Sequence, residues 1–195
     1  MKKKISFLLL FILVQIFLIS CNTTKNQENH LTVKEKIIKI GVIDYVNSVY
    51  TEDAEKGIID GLQAALGNGK DTYTIDVKNA QGDISALNMI GDFFSQNNFD
   101  LIFAITPPAI QVAMRKIKNT PIVFTNAGNP IEAGVGKSFT DHLPNITGIS
   151  TITDFEAAVK VIRNFYPNVK TIGSLFNPSE IDSVLYTEKF KEILK

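Results

Sequence analysis

Four carboxylates stand where chain segments change character: Asp44 behind an apolar run, Asp53 and Asp83 at the start of periodic segments, and Glu180 in a late loop. Two carboxylates facing each other across a cleft can divide acid and base work in hydrolysis. Asp44 and Asp83 are the pair this chain offers for it. The same short side chains also cap helices and shape turns by accepting hydrogen bonds from free backbone N–H groups, which accounts for most of them. Other chemistries fail on count or spacing. Cys21 is the only cysteine, and His30 and His142 are the only histidines, so neither a disulfide framework nor a zinc site can be assembled. No G-x-S-x-G turn is present, and a Ser-His-Asp triad would have only His142 to draw on. Ala133-Gly-Val-Gly-Lys-Ser138 ends like a phosphate-binding loop, but Ile131 stands where its first glycine belongs. Gly41 is isolated in the first strand, so the dinucleotide fingerprint is missing as well. No metal and no cofactor is implied.

The elements that position these residues follow from periodicity. Ile37, Ile38, Ile40, Val42 and Ile43 form a β-branched run suited to a strand covered on both faces. A loop over 44–50 follows, and Thr51 is the expected cap of a helix carrying Ala54, Ile58, Leu62 and Ala65 at helical spacing. Tyr73, Ile75 and Val77 alternate with polar residues, the pattern of a strand near a sheet edge. Asp83 caps the next helix, which bears Ile84, Leu87, Ile90 and Phe94. A buried strand is expected over 101–105, a short apolar strand over 121–124 and a fifth strand over 146–149. Thr106, Pro107 and Pro108 open the helix between the first two. Asp154 caps a further helix, 171–176 reads as a strand, and a last helix runs to Lys195. Strands alternating with helices at this pace mean βαβ units, and hence an α/β fold with a doubly wound parallel sheet.

Twenty basic residues balance twenty acidic ones, so no overall field argues for a nucleic-acid partner. At 195 residues and 45% apolar content the chain can bury one good core. Its beginning reads differently. Three lysines precede an apolar run over 5–19, and Ser20 stands just before Cys21, the layout of a secretory signal. The run falls short of the ~20 residues that span a bilayer. Leu18-Ile-Ser-Cys21 resembles the bacterial lipoprotein signal, in which the cysteine is diacylated and becomes the new N-terminus. That resemblance implies a protein outside the cytoplasm, held to a membrane by lipid. Residues 22–36 are polar and read as a flexible tether.

In order, Ile40-Gly-Val-Ile-Asp-Tyr-Val46, Gly57-x-x-Asp-Gly-Leu62, Asn79-Ala-Gln-Gly-Asp83, Ala104-Ile-Thr-Pro-Pro-Ala109, Pro121-Ile-Val-Phe124, Asn145-Ile-Thr-Gly-Ile-Ser150 and Asn177-Pro-Ser-Glu180 resemble the solute-binding lipoproteins of bacterial ABC importers, in particular the TrpX-type group. The resemblance implies a type I periplasmic-binding-protein fold, in which two α/β lobes close over a small solute and deliver it to an ABC permease. It places the first lobe at 37–150 and the start of an incomplete second lobe at 151–195.

Strand-end logic and the resemblance lead to the same ligand-facing residues. Asp44, Tyr45, Asn47, Gln81, Asp83, Thr106, Ala109, Asn126 and Asn129 would form one wall, and Ser150, Asn177 and Glu180 the other. An amino-acid solute, as in the TrpX-type group, would set its carboxylate at the Thr106 helix start and its ammonium on Asp44 or Glu180, with its side chain on Tyr45. Family members often carry glutamine at the position of Asp44 and an acidic residue at that of Asn129. The residues alone leave one alternative, an exported α/β hydrolase working through Asp44 and Asp83.

Overall fold

A computed structural model describes residues 37–67 and 72–195. The expected signal sequence, Cys21 and the tether lie outside the described residues. Five strands, β1 (Ile38–Asp44), β2 (Tyr73–Asn79), β3 (Leu101–Ile105), β4 (Ile122–Ala127) and β5 (Ile146–Ser150), alternate with α1 (Val49–Leu66), α2 (Ile84–Gln96) and α3 (Pro107–Lys116). Two further helices, α4 (Phe155–Phe165) and α5 (Ile181–Leu194), follow β5. All pairings are parallel and the strand order is β2-β1-β3-β4-β5. This is the expected doubly wound α/β sheet. Strand β2 lies at its edge as expected, but its burial does not alternate: Val77 is exposed while Asp76 and Lys78 are half-buried.

The chain crosses the sheet one way from β1 to β2 and the other way from β2 to β3. Right-handed crossovers then put α1 on one face and α2 and α3 on the other. The second face holds the main core, with Ile43, Leu87, Phe94, Ile102, Ala104, Ile110 and Ile122 buried together. Two glycines make that packing possible. A Cβ on Gly41 would lie 2.7 Å from Ile102 Cδ1 and from Phe94 Cδ1, and one on Gly91 would run into Val112 across the α2–α3 contact. The Lys116–Asp92 ion pair closes the same contact at 2.7 Å.

Two local expectations are corrected. Ser48, not Thr51, caps α1: the Ser48 hydroxyl accepts from the Thr51 N–H at 3.2 Å, and Thr51 Oγ1 accepts from the Ser48 N–H at 3.0 Å. Thr51 sits one turn inside, buried, completing a reciprocal capping box. Residues 171–176 form no strand. A strand requires a neighbour to pair with, and none is present beside this segment among the described residues, so Leu175 is fully exposed.

Candidate functional site

The order β2-β1-β3 reverses the direction of winding between β1 and β3. In open α/β sheets, ligands bind at such a point, beyond the carboxyl ends of the strands. A cavity of about 1180 Å³ opens there. Its floor is the ends of β3, β4 and β5 at Thr106, Thr125, Asn126 and Ser150. The N-terminal ends of α1, α3 and α5 converge on it, bringing Tyr50, Asp53, Pro107, Glu180, Asp182 and, one turn further into α5, Tyr186.

Of the residues expected from sequence, Tyr45, Thr106, Asn126, Ser150 and Glu180 line this cavity. Asp44, Asn47 and Gln81 form an amide and carboxylate network at the ends of β1 and β2. Its centre is Asn79, whose Nδ2 donates to Asp44 Oδ2 and to Asn47 Oδ1 at 2.6 Å each, while its Oδ1 accepts from the Gln81 N–H at 2.7 Å. Asp83 caps α2, accepting from the Ala86 N–H at 2.8 Å. Ala109 is fully buried within α3. Asn129 Oδ1 accepts from the Glu132 N–H at 3.2 Å, and Asn177 Oδ1 from the Ser179 N–H at 3.0 Å. The two carboxylates named for hydrolysis are thus each committed to donors of the scaffold.

Asp44 is buried, and desolvation pushes its pKa above the ordinary carboxylate value against the opposing bonds from Val46 and Tyr45 N–H groups. Backbone strain gathers at the strand ends: Thr106 has φ 79° and Asn126 φ 56°. A β-branched residue in that region costs about 1–3 kcal/mol and persists where the surroundings impose it, most often at binding sites. Thr106 Oγ1 is buried and has no hydrogen-bond partner. Pro107 and Pro108 remove two N–H groups from the first turn of α3, and Ala109, which follows them, is fully buried and does not line the cavity, so that turn offers an anion little.

Sequence reasoning did not find Asp182 or Tyr186. Both oxygens of Asp182 accept from the Gly128 N–H at 3.0 Å, and one also accepts from the Asn129 N–H at 3.3 Å. Tyr186 donates to the Thr151 carbonyl at 3.1 Å and packs on Phe155 with ring centroids 5.4 Å apart. Burial first, and then the charge of Asp182, raise the pKa of its phenol. A Cβ on Gly128 would sit 2.7 Å from the Tyr186 ring, so that glycine is what lets α5 seat against the end of β4. The only trace in sequence was an acidic residue in a helix's first turn, which the helix dipole explains equally well.

The chain is an α/β sheet with a cavity at its winding reversal and α5 docked on the rim, and sequence comparison gives its family. The family described as ABC transporter substrate binding protein matches residues 39–195, and the chain belongs to that family. It is 29% identical over 198 residues to a tyrosine-binding protein of Clostridioides difficile strain R20291, covering 100% of this chain and 57% of the relative. Among solved structures it is similar to an ABC domain in complex with L-Trp from Streptococcus pneumonia, at 34% identity and TM-score 0.76, covering 81% of this chain and 53% of that one. It is also similar to the ligand-free, open structure of a substrate-binding protein with adhesive properties from Clostridium difficile, at 29% identity and TM-score 0.66, covering 80% and 53%. The chain thus spans little more than half the length of these relatives.

Proposed function

We propose that this chain is the solute-capturing part of an ABC importer and that its solute is an amino acid with an aromatic side chain. The observation that carries this reading is the cavity at the winding reversal, with a strained Thr106 whose buried hydroxyl lacks a partner. A tyrosine-binding relative and a relative solved with L-Trp support the choice of solute. The solute carboxylate is assigned to the start of α3 at Thr106, and its ammonium to Glu180. Asp44 is less suited to the ammonium, being buried beneath Asn79. The aromatic body packs against Tyr45, whose own hydroxyl is fixed on the Gly82 carbonyl at 2.9 Å.

In this reading 37–150 is the first lobe and 151–195 the start of the second, which completes the jaw as the lobes hinge together. The protein acts outside the cytoplasm, tethered through a lipidated Cys21, hands its solute to a membrane permease and performs no catalysis. Among the described residues no helix is long and apolar enough to cross a membrane. Thermal unfolding against a panel of amino acids tests the binding claim. A solute at a hundred times its Kd stabilises the folded state by about 2.7 kcal/mol. L-Tyrosine or L-tryptophan should raise Tm by several degrees, and a flat response to the whole panel would refute the reading.

A further inference from the structure

The charge around the cavity is one-sided. Asp53, Glu180 and Asp182 line it, and no lysine, arginine or histidine does so among the described residues. Asp182 is occupied by the Gly128 and Asn129 N–H groups. Glu180 stands at the N-cap of α5, exposed, and its carboxylate accepts no capping hydrogen bond. Three tyrosines, Tyr45, Tyr50 and Tyr186, share the lining.

The converging helix N-termini favour anions in principle, but most of that capacity is already used. The end of α1 is closed by the Ser48–Thr51 box. The end of α5 carries Glu180 and Asp182. The end of α3 has two prolines in its first turn and a fully buried Ala109 behind them, leaving the Thr106 hydroxyl as a neutral donor. A carboxylate therefore meets one neutral donor in an acidic surround, whereas an ammonium meets the exposed Glu180 carboxylate.

From this the geometry points to a cavity that reads the amine of its solute ahead of the carboxylate and rejects solutes of net negative charge. The inference rests on the solute-binding reading above and adds the charge rule of the same site. Glu180 is the specificity-determining residue.

Titration calorimetry of the full chain with three matched solutes tests it: L-tryptophan, tryptamine, which lacks the carboxylate, and indole-3-propionate, which lacks the amine. Tryptamine should bind within ~10-fold of tryptophan, and indole-3-propionate should lose ~100-fold or more, as expected for loss of a charge-assisted contact together with repulsion. Glu180→Gln should weaken both amines by ~10-fold and narrow the gap to indole-3-propionate, and because its side chain supports no cap, only its interaction with the α5 dipole is lost and Tm should fall by no more than a few degrees. Raised salt should weaken the amines more in wild type than in Glu180→Gln. Binding of tryptophan with indole-3-propionate preferred over tryptamine would overturn the charge rule while leaving the solute-binding reading intact. Binding of tryptamine without tryptophan would overturn the amino-acid assignment and uphold the rule. Binding of none of the three would overturn both.

Discussion

Asp182→Ala is the most informative single change at the rim. The carboxylate holds the Gly128 N–H with both oxygens at 3.0 Å and the Asn129 N–H at 3.3 Å, across 54 residues of chain. Bonds to a charged acceptor are worth about 1.5–3 kcal/mol net, and this clamp is only partly buried, so about 1.5 kcal/mol is expected for the whole of it. That corresponds to an opening equilibrium shifted ~10-fold and a Tm lowered by about 3–6 °C for a chain of this size. Amide hydrogen exchange reads it directly: the Gly128 and Asn129 N–H groups should exchange ~10-fold faster, while Ile43 and Ile102 in the central strands stay protected. Asp182→Asn keeps one acceptor oxygen and should give an intermediate rate. Tyr186 distinguishes a local loss from detachment of α5. Its phenol is raised chiefly by burial, so with α5 still held by the Thr151 carbonyl and Phe155 it should keep a pKa above the ordinary tyrosine value. Unchanged exchange at Gly128 and Asn129 in Asp182→Ala would show that α5 is seated by something else, and the argument would fail.

Two further outcomes follow from packing and burial. Gly41→Ala puts a methyl 2.7 Å from Ile102 Cδ1 in the main core and should cost about 1–3 kcal/mol, whereas Gly57→Ala in the middle of α1 meets nothing within 4 Å and should gain about 0.5–1 kcal/mol; denaturant midpoints of the two variants should move in opposite directions. Asp44 has a pKa raised in the folded state, so that state holds its proton more tightly than the unfolded chain does. Its contribution is fully present below the ordinary carboxylate value near 3.8 and is lost as pH rises through the raised value. The stability difference between wild type and Asp44→Asn should shift against wild type as pH rises across that window in denaturation curves; an identical pH slope in both would refute it.

The sheet was legible because its strands are apolar runs with an unambiguous partner problem. Ile40, Val42 and Ile43 fit only a strand covered on both sides, and the alternation of Tyr73, Ile75 and Val77 fits only an edge. The cap of α1 was misplaced by one turn because Ser48 and Thr51 are both good caps, and a capping box uses them together. The expected strand at 171–176 has the right residues, but a strand is a property of a pair, and sequence says nothing about whether the neighbour is there. Asp182 and Tyr186 were hidden for a different reason. Their partners, Gly128 and Thr151, are 54 and 35 residues away, and no periodicity encodes that distance.

What the structure adds to the rim is a way of sorting its polar groups. The tips of β1 to β5 are crowded with residues that read identically in sequence as turn formers and ligand contacts. Once each donor and acceptor is followed to its partner, most prove to be bound within the scaffold: Asp44 and Asn47 by Asn79, Asp83 by Ala86, Asn129 by Glu132, Asn177 by Ser179 and Asp182 by Gly128. A group satisfied in this way can interact with a solute only by giving up a bond worth about 1 kcal/mol or by sharing it. Thr106 Oγ1 pays desolvation with nothing in return, on a backbone already strained at φ 79°. Glu180, at the start of the neighbouring helix, lines the same cavity and likewise makes no capping hydrogen bond.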